Sequence, residues 1–394
     1  MSHSLTVQAY IDDCWRDALV LQFANPEQVD GHRCVSGYVQ DYLLSYLDWI
    51  DSPFETSVSV CQRLGWNSFH TNGFPAFIYD IIPSGAARKS LERRFGHERP
   101  PGMDLNLFLL ERCAPAPVGH LRIKESISHI DAGRRIAFDR ADVVERTNAF
   151  IEYAYEQGAA IGGATGAGGE APKLLMTEDT QGHLYADATL ADEQAHRHWL
   201  VKFARNQAGE RDRDILRTEY HYYQAIRQLG LDTIPADGLI LEEADKPSLW
   251  MPRFDRRVNG GKVERVALES VYSLCNNTRP GSHMQHEAVI ATLAQLWTEA
   301  NQQADIPDLV FEYVRRDLLN RILGNSDNHG RNTSITRSGG RLALAPIYDL
   351  APMVLDPEGI SRVTKWREER LGEPQWRDVC GQLKPFAEPE ATYE

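Results

Sequence analysis

The chain has 394 residues, 42% hydrophobic and 25% charged, which is enough for two domains with ordinary cores and excludes disorder as the dominant state. Its 42 basic against 56 acidic side chains give a net charge of −14, which argues against a broad nucleic-acid face while leaving room for a local basic patch. Six scattered cysteines without paired short spacing suggest neither a zinc knuckle nor a disulfide framework and fit a reducing compartment. The start lacks a basic region followed by an apolar stretch, and no apolar run reaches membrane-spanning length, so the expectation is a soluble cytoplasmic protein with no membrane contact.

Up to residue 150, short apolar runs alternate with turn residues, as at 18–23, 77–82 and 118–123, and predict a β-rich N-terminal subdomain. Residues 140–158 space their apolar side chains three and four apart, predicting one amphipathic helix ending at Gly158. Residues 162–173 then hold five glycines within eight positions. Such a loop either presents backbone N–H groups to phosphate oxygens or serves as a flexible linker, and it does not fit the Walker spacing. Residues 198–204 have strand character, with Lys202 between Val201 and Phe203. A strand lysine of this kind neutralises nucleotide phosphate charge in protein kinases, or else is a surface lysine.

A helix is predicted over 214–230, closed by Gly230, and a strand over 238–242. Residues 263–276, 286–301 and 306–323 read as three further helices. In the last, Leu309, Val310, Tyr313, Val314, Leu318, Leu319 and Ile322 form an apolar face expected in the core, with Arg315 and Arg316 turned to solvent or to acids.

The most informative stretch comes next: Asn325-Ser-Asp327-Asn-His329-Gly-Arg-Asn332, then an apolar run ending Pro346-Ile-Tyr-Asp349. Phosphoryl transfer needs a group to orient the attacking hydroxyl and oxygen ligands to hold magnesium against the phosphates. Asp327 suits the first task; Asn332 through its amide oxygen and Asp349 through its carboxylate suit the second, so the cofactors expected are ATP and Mg2+. A polar turn explains the loop alone, but not Asp349, whose neighbours Tyr348 and Leu350 make an unpaired carboxylate costly. His329 either fixes Asp327 through a ring N–H or caps the loop. In the tail, Trp366 and Trp376 among charges suggest a surface helix or contact site, and the acidic last eight residues are expected to fray.

Asp327-Asn-His-Gly-Arg-Asn332 and Pro346-Ile-Tyr-Asp349 resemble the Asp-x-His-x-x-Asn and Pro-x-Tyr-Asp segments of the HipA-like serine/threonine kinases, toxins of bacterial toxin–antitoxin systems. The resemblance covers most of the chain. It implies an α+β, protein-kinase-like two-lobed fold, with a β-rich N-terminal subdomain (1–150), a nucleotide-binding lobe with the Gly-rich loop (151–255) and a helical lobe with the catalytic and metal loops (256–394). It implies a catalytic Asp327, metal ligands Asn332 and Asp349, and a phosphate loop through Gly166, Gly168 and Gly169 that ends at Lys173. It also implies a phosphate-binding Lys202 paired with Glu219, and a lobe connection at 253–256. There, backbone groups near Met251 and Phe254 address adenine, and Asp255 bonds ribose or pairs with Arg256. His329 belongs to the same nucleotide site. Residues 74–91 resemble the family's segment running through Leu-Pro-x-Gly into a basic helix, with a structural role. The family often carries a serine before the glycine cluster whose autophosphorylation expels the loop; here Thr165 is the nearest hydroxyl, which puts that route in doubt.

The leading expectation is therefore an ATP- and Mg-dependent kinase acting on a serine or threonine of a protein, with translation factors or aminoacyl-tRNA synthetases as the target class the resemblance implies. A small-molecule phosphotransferase shares the same ligand logic. A third reading is a nucleotide-binding scaffold that works through a helix-turn-helix antitoxin partner, through which any operator binding would come.

Overall fold

The computed structural model describes residues 3–52, 54–130, 135–161, 171–205 and 208–394. β1 (His3–Ile11) and β2 (Cys14–Phe23) form a hairpin whose two turn residues, Asp12 and Asp13, both have positive φ (52° and 58°), matching the twist of the paired strands. Alternation sends Leu5, Val7 and Ala9 of β1 and Leu19, Leu21 and Phe23 of β2 into one buried face. β3 (Arg33–Tyr38), the short α1 (Gln40–Ser45), β4 (Phe69–Asn72), α2 (Gly85–Phe95), α3 (Leu105–Cys113) and β5 (Leu121–Ile123) follow, and the five strands order as β4-β3-β2-β1-β5. The strand expected at 77–82 is instead a 3-10 turn, Ala76–Asp80. It lies between Pro75 and Pro83, neither of which can donate to a ladder.

The single helix expected over 140–158 is two, α4 (Arg140–Glu145) and α5 (Asn148–Glu156). Arg146 takes the left-handed conformation (φ 53°), and Thr147 caps the new start by accepting from the Phe150 N–H at 3.4 Å. Then come β6 (Ala160–Ile161), β7 (Lys173–Asp179), β8 (Leu184–Ala186), β9 (Ala195–Phe203), α6 (Glu210–Gln228), β10 (Ile240–Glu242) and β11 (Ser248–Pro252), whose main sheet runs β10-β11-β9-β7-β6. The core does not break at residue 150: Leu91 and Phe95 of α2, Leu109 of α3 and Phe150 and Tyr153 of α5 pack with Met176, Trp199 and Trp250 of this sheet.

The segment expected as a helix over 263–276 is instead two short strands followed by a single helical turn. β12 (Arg256–Asn259) and β13 (Lys262–Arg265) close through Gly260 and Gly261, both at positive φ, and β14 (Ala267–Ser270) leads into a one-turn helix, α7 (Val271–Leu274). Val263 and Val266 with alternating charges suit a strand better than a helix. β15 (Met284–Gln285) precedes α8 (His286–Glu299) and α9 (Ile306–Ile322), which form the helical lobe as expected; β16 (Ser334–Ser338) and β17 (Arg341–Leu344) pair beside β14. On α9, Leu309, Val310, Tyr313 and Val314 are buried, but Leu318 and Ile322 face solvent, 36% and 68% exposed. Arg315 and Arg316 pair with Glu312. Trp366 is not on a surface helix: it is buried after β18 (Thr364–Lys365), stacked on His286 at 4.5 Å, and α10 (Trp376–Gln382) follows.

Buried polar bonds tie the N-terminal region to the helical lobe. Arg337 donates to the carbonyls of Phe54 (2.9 Å), Ser57 (2.8 Å) and Val58 (3.2 Å), while Glu269 accepts from Ser59 Oγ (2.6 Å) and Val60 N (3.0 Å). None of the six cysteines forms a disulfide. Among the described residues, no helix is long and apolar enough to cross a membrane.

Candidate active site

Lys173 and Lys202 stand directly opposite each other on the antiparallel pair β7–β9. Their ammonium groups converge on one carboxylate: Lys173 Nζ is 2.9 Å from Asp349 Oδ2, and Lys202 Nζ is 2.7 Å from Asp349 Oδ1. Lys202 also meets Glu219 Oε2 at 2.5 Å, and Tyr223, one turn further along α6, donates to the other Glu219 oxygen at 2.9 Å. The pairing of Lys202 with Glu219 is thus present, at a glutamate 1% exposed.

Asp349 takes a left-handed backbone (φ 55°), a conformation an aspartate tolerates better than a branched residue. Burial alone would raise its carboxyl, but the ammonium groups of Lys173 and Lys202 outweigh that and hold it well below the usual carboxylate range. Burial likewise disfavours the Lys202 charge, and Asp349 and Glu219 reverse this, raising its pKa. Asp349 and Lys202 are therefore both ionised at neutral pH.

The 325–332 loop is held from several sides. Asn325 Oδ1 accepts from Asp327 N (3.2 Å), and Asn332 Nδ2 donates to Asp327 O (2.6 Å). His329 is buried, its Nδ1 accepts from Arg331 N (3.2 Å), and its Nε2 lies 3.6 Å from Asp327 Oδ1. It stacks on Tyr272 with ring centroids 6.0 Å apart. Burial lowers the imidazole pKa, partly offset by Asp327, so the ring is neutral at pH 7. It both caps the loop and faces Asp327, and it lines neither cavity described below.

A cleft of about 200 Å³ is lined by Lys173, Lys202, Glu219, Met251, Phe254, Asp255, Asn332 and Asp349. A smaller cavity beside it is lined by Asp327 together with Lys173, Lys202, Glu219 and Asp349. The structure therefore gathers most of the residues singled out from the sequence. Phe254 stacks on Tyr348 at 5.8 Å, and Met251 sits on β11 with 5% exposure. Gly166, Gly168, Gly169 and Thr165 lie outside the described residues.

Asp255 is committed elsewhere. Of its two open roles, pairing is the one observed: it accepts from Arg253 (2.9 and 2.6 Å), Arg256 (2.9 Å) and Gly119 N (2.7 Å), with 3% exposure. Three of those four bonds fall on Oδ2 and one on Oδ1, so the carboxylate is held within a buried ion-pair cluster.

Asp80, Ser84, Ser270 and Arg331 also line the cleft, and sequence reasoning did not assign them. Asp80 and Ser270 are 190 positions apart, so no local spacing could reveal their contact. The one local signal is the 74–91 segment, to which the sequence resemblance assigns a structural role.

Gly330 is where the loop is tightest. A Cβ there would meet the Tyr272 ring at 2.6 Å, so Gly330→Ala is expected to cost about 1–3 kcal/mol through overpacking. Urea denaturation checks this; an unchanged midpoint would mean the loop is free to shift.

Residues 165–392 match the HipA-like C-terminal domain family. Toxin YjjJ of Escherichia coli K12 is 29% identical over 194 residues, covering 48% of this chain and 39% of that protein, so the match spans well under half of the relative's length. The fold is similar to a chain of the Shewanella oneidensis MR-1 toxin–antitoxin complex of HipA, HipB and operator DNA. The TM-score is 0.65 at 15% identity, over 98% of this chain and 86% of that one. At that identity the likeness carries the fold, an α+β, two-lobed, kinase-like architecture, as expected from the sequence.

Proposed function

The chain belongs to the family of the HipA-like C-terminal domain, and we propose that it is an ATP- and Mg-dependent serine/threonine protein kinase of the toxin type. The observation that carries this reading is the convergence of Lys173 and Lys202 on Asp349, with Glu219 pairing Lys202 from the other side, beside the loop that bears Asp327. Two ammonium groups on adjacent strands, Lys202 buried and Lys173 part-buried, are placed to take up phosphate charge, and Glu219, anchored by Tyr223, holds Lys202 in position. Asp327 accepts from the attacking hydroxyl and orients it.

Magnesium would be held by Asn332 and Asp349, where it would neutralise phosphate charge. The residues fit: Asp349 is ionised, and Asn332 uses its amide nitrogen on Asp327 O, so its oxygen is the end not committed to the loop. Among the described residues no group of three or more His, Cys, Asp or Glu could hold a metal. Magnesium held by one carboxylate, one amide and the nucleotide phosphates needs no such cage.

An apolar wall of Leu200, Ile234, Met251 and Phe254 suits the adenine ring. The acceptor is a protein hydroxyl in the cytoplasm, and a helix-turn-helix antitoxin is the partner. With a net charge of −14, the chain leaves operator contact to that partner.

Incubating the purified chain with ATP, magnesium and a bacterial lysate, followed by mass spectrometry, tests the reading. A new phosphoserine or phosphothreonine on a protein is expected. A phosphorylated metabolite without any phosphoprotein would instead make the chain a small-molecule phosphotransferase.

A further inference from the structure

One wall of the cleft comes from the N-terminal region, and the kinase reading assigns it no task. Asp80 ends the 3-10 turn Ala76–Asp80, with its carboxylate largely enclosed. Its Oδ1 accepts from Ser270 Oγ at 2.6 Å and its Oδ2 from Ser270 N at 2.9 Å. Ser270 is the N-cap of α7, its Oγ accepting from Ser273 N at 3.3 Å. α7 in turn grips the loop: Val271 N donates to Thr333 O (2.9 Å), Tyr272 N donates to Gly330 O (3.1 Å), and the Tyr272 ring stacks on His329.

A second line runs directly to the loop. Arg331 Nε lies 4.0 Å from Asp80 Oδ1, and Arg331 Nη1 reaches Ser84 Oγ at 3.5 Å. On its other side, Tyr348, next to Asp349, donates to Arg331 O at 2.5 Å.

Resting on the kinase reading, we infer that Asp80 is a positioning residue: it sets the 325–332 loop from the N-terminal region, through Ser270 and α7 on one side and Arg331 on the other. The N-terminal region is thereby part of the catalytic apparatus and not an appended module.

A carboxylate is needed for this because Ser270 offers two donors and Arg331 a positive charge. An asparagine would turn one end of its amide into a donor facing donors. The carboxylate is kept although burial pushes its pKa up to about 6 against the pull of Arg331 and Ser270, an enclosure that argues for a task beyond solvation. Asp80 touches neither Asp349 nor Asp327, so its effect must travel through the loop's position.

The test uses the full chain with Asp80→Asn, Ser270→Ala and the double variant, reading ATP turnover by phosphate release and amide hydrogen exchange over 329–333. Asp80→Asn is expected to lower kcat by about ten- to a hundredfold, as small displacements of reacting groups do, with the KM for ATP changed by less than about twofold. Exchange at 329–333 should quicken, and the double variant should lose little more than the worse single one. Ser270→Ala, which deletes only a hydroxyl, gives the same readout if Asp80→Asn folds poorly. Unchanged kcat in both single variants, or additive losses in the double, overturns the inference. If the wild type neither binds nor turns over ATP, the kinase reading is what fails. Exchange then decides the inference alone, and identical rates at 329–333 in wild type and Asp80→Asn overturn it.

Discussion

Asp327→Asn is expected to lower phosphoryl transfer by about a hundredfold or more while leaving nucleotide binding nearly intact. The substitution preserves shape, and the contacts that hold residue 327 are mostly backbone: its N–H donates to Asn325 Oδ1 and its carbonyl accepts from Asn332 Nδ2. Its side chain forms no bond to Lys173, Lys202 or Glu219, whose cluster closes on Asp349 instead. What disappears is the anionic acceptor facing the cavity and the His329 ring, so the loss should fall on kcat and not on affinity. Calorimetry of ATP binding beside phosphate release separates the two. Wild-type turnover by the variant would falsify the role given to Asp327.

The parts of the site legible in the sequence were those whose chemistry sits at short spacing or on a regular element. Asp327 and Asn332 lie on one loop, Asp349 ends an apolar run, and Lys202 interrupts a strand, so each stood out locally. That Lys173 and Lys202 stand opposite each other depends on the β7–β9 register, and their shared carboxylate on contacts 176 and 147 positions long. Asp80 and the Gly119 bond to Asp255 were invisible for the same reason: their partners are supplied only by the packed fold.

The misread elements have local causes. At Arg146 and Thr147 a left-handed residue and a capping threonine overrode helical periodicity; at 77–82 flanking prolines overrode strand-like composition; and the Gly-Gly turn at 260–261, just before the segment read as a helix, draws its first residues, 263–265, into a hairpin strand. In each case one or two residues that set the local backbone weigh more than the hydrophobic pattern around them.

Asp349→Ala carries the other large expected effect, on two separable quantities. The first is stability. Asp349 neutralises the buried Lys202 and the part-buried Lys173; without it Lys202 keeps Glu219, but Lys173 loses the only ion pair identified for it among the described residues. Leaving a part-buried charge uncompensated costs less than a fully buried one, on the order of 2 kcal/mol.

This cost has a pH signature. The folded-state pKa of Asp349 is depressed, so its contribution is fully present above the unfolded carboxyl value near ~4 and is lost as pH falls further toward the folded value. Wild type and Asp349→Ala should therefore differ most in denaturant midpoint near neutrality and converge in acid. A gap that is constant with pH would mean the carboxylate is not held by the lysines.

The second quantity is metal-dependent nucleotide binding. With Asp349 gone, Asn332 is the remaining oxygen ligand of the proposed pair, and a lone neutral amide is a weak site for a cation that dehydrates reluctantly. ATP affinity in magnesium should fall, while the small affinity measured in chelator should hold or rise, because Lys173 and Lys202 are released toward the phosphates. Titrating ATP with and without magnesium reads that reversal directly. If the variant keeps the wild-type gain from magnesium, Asp349 is a partner of the two lysines and nothing more.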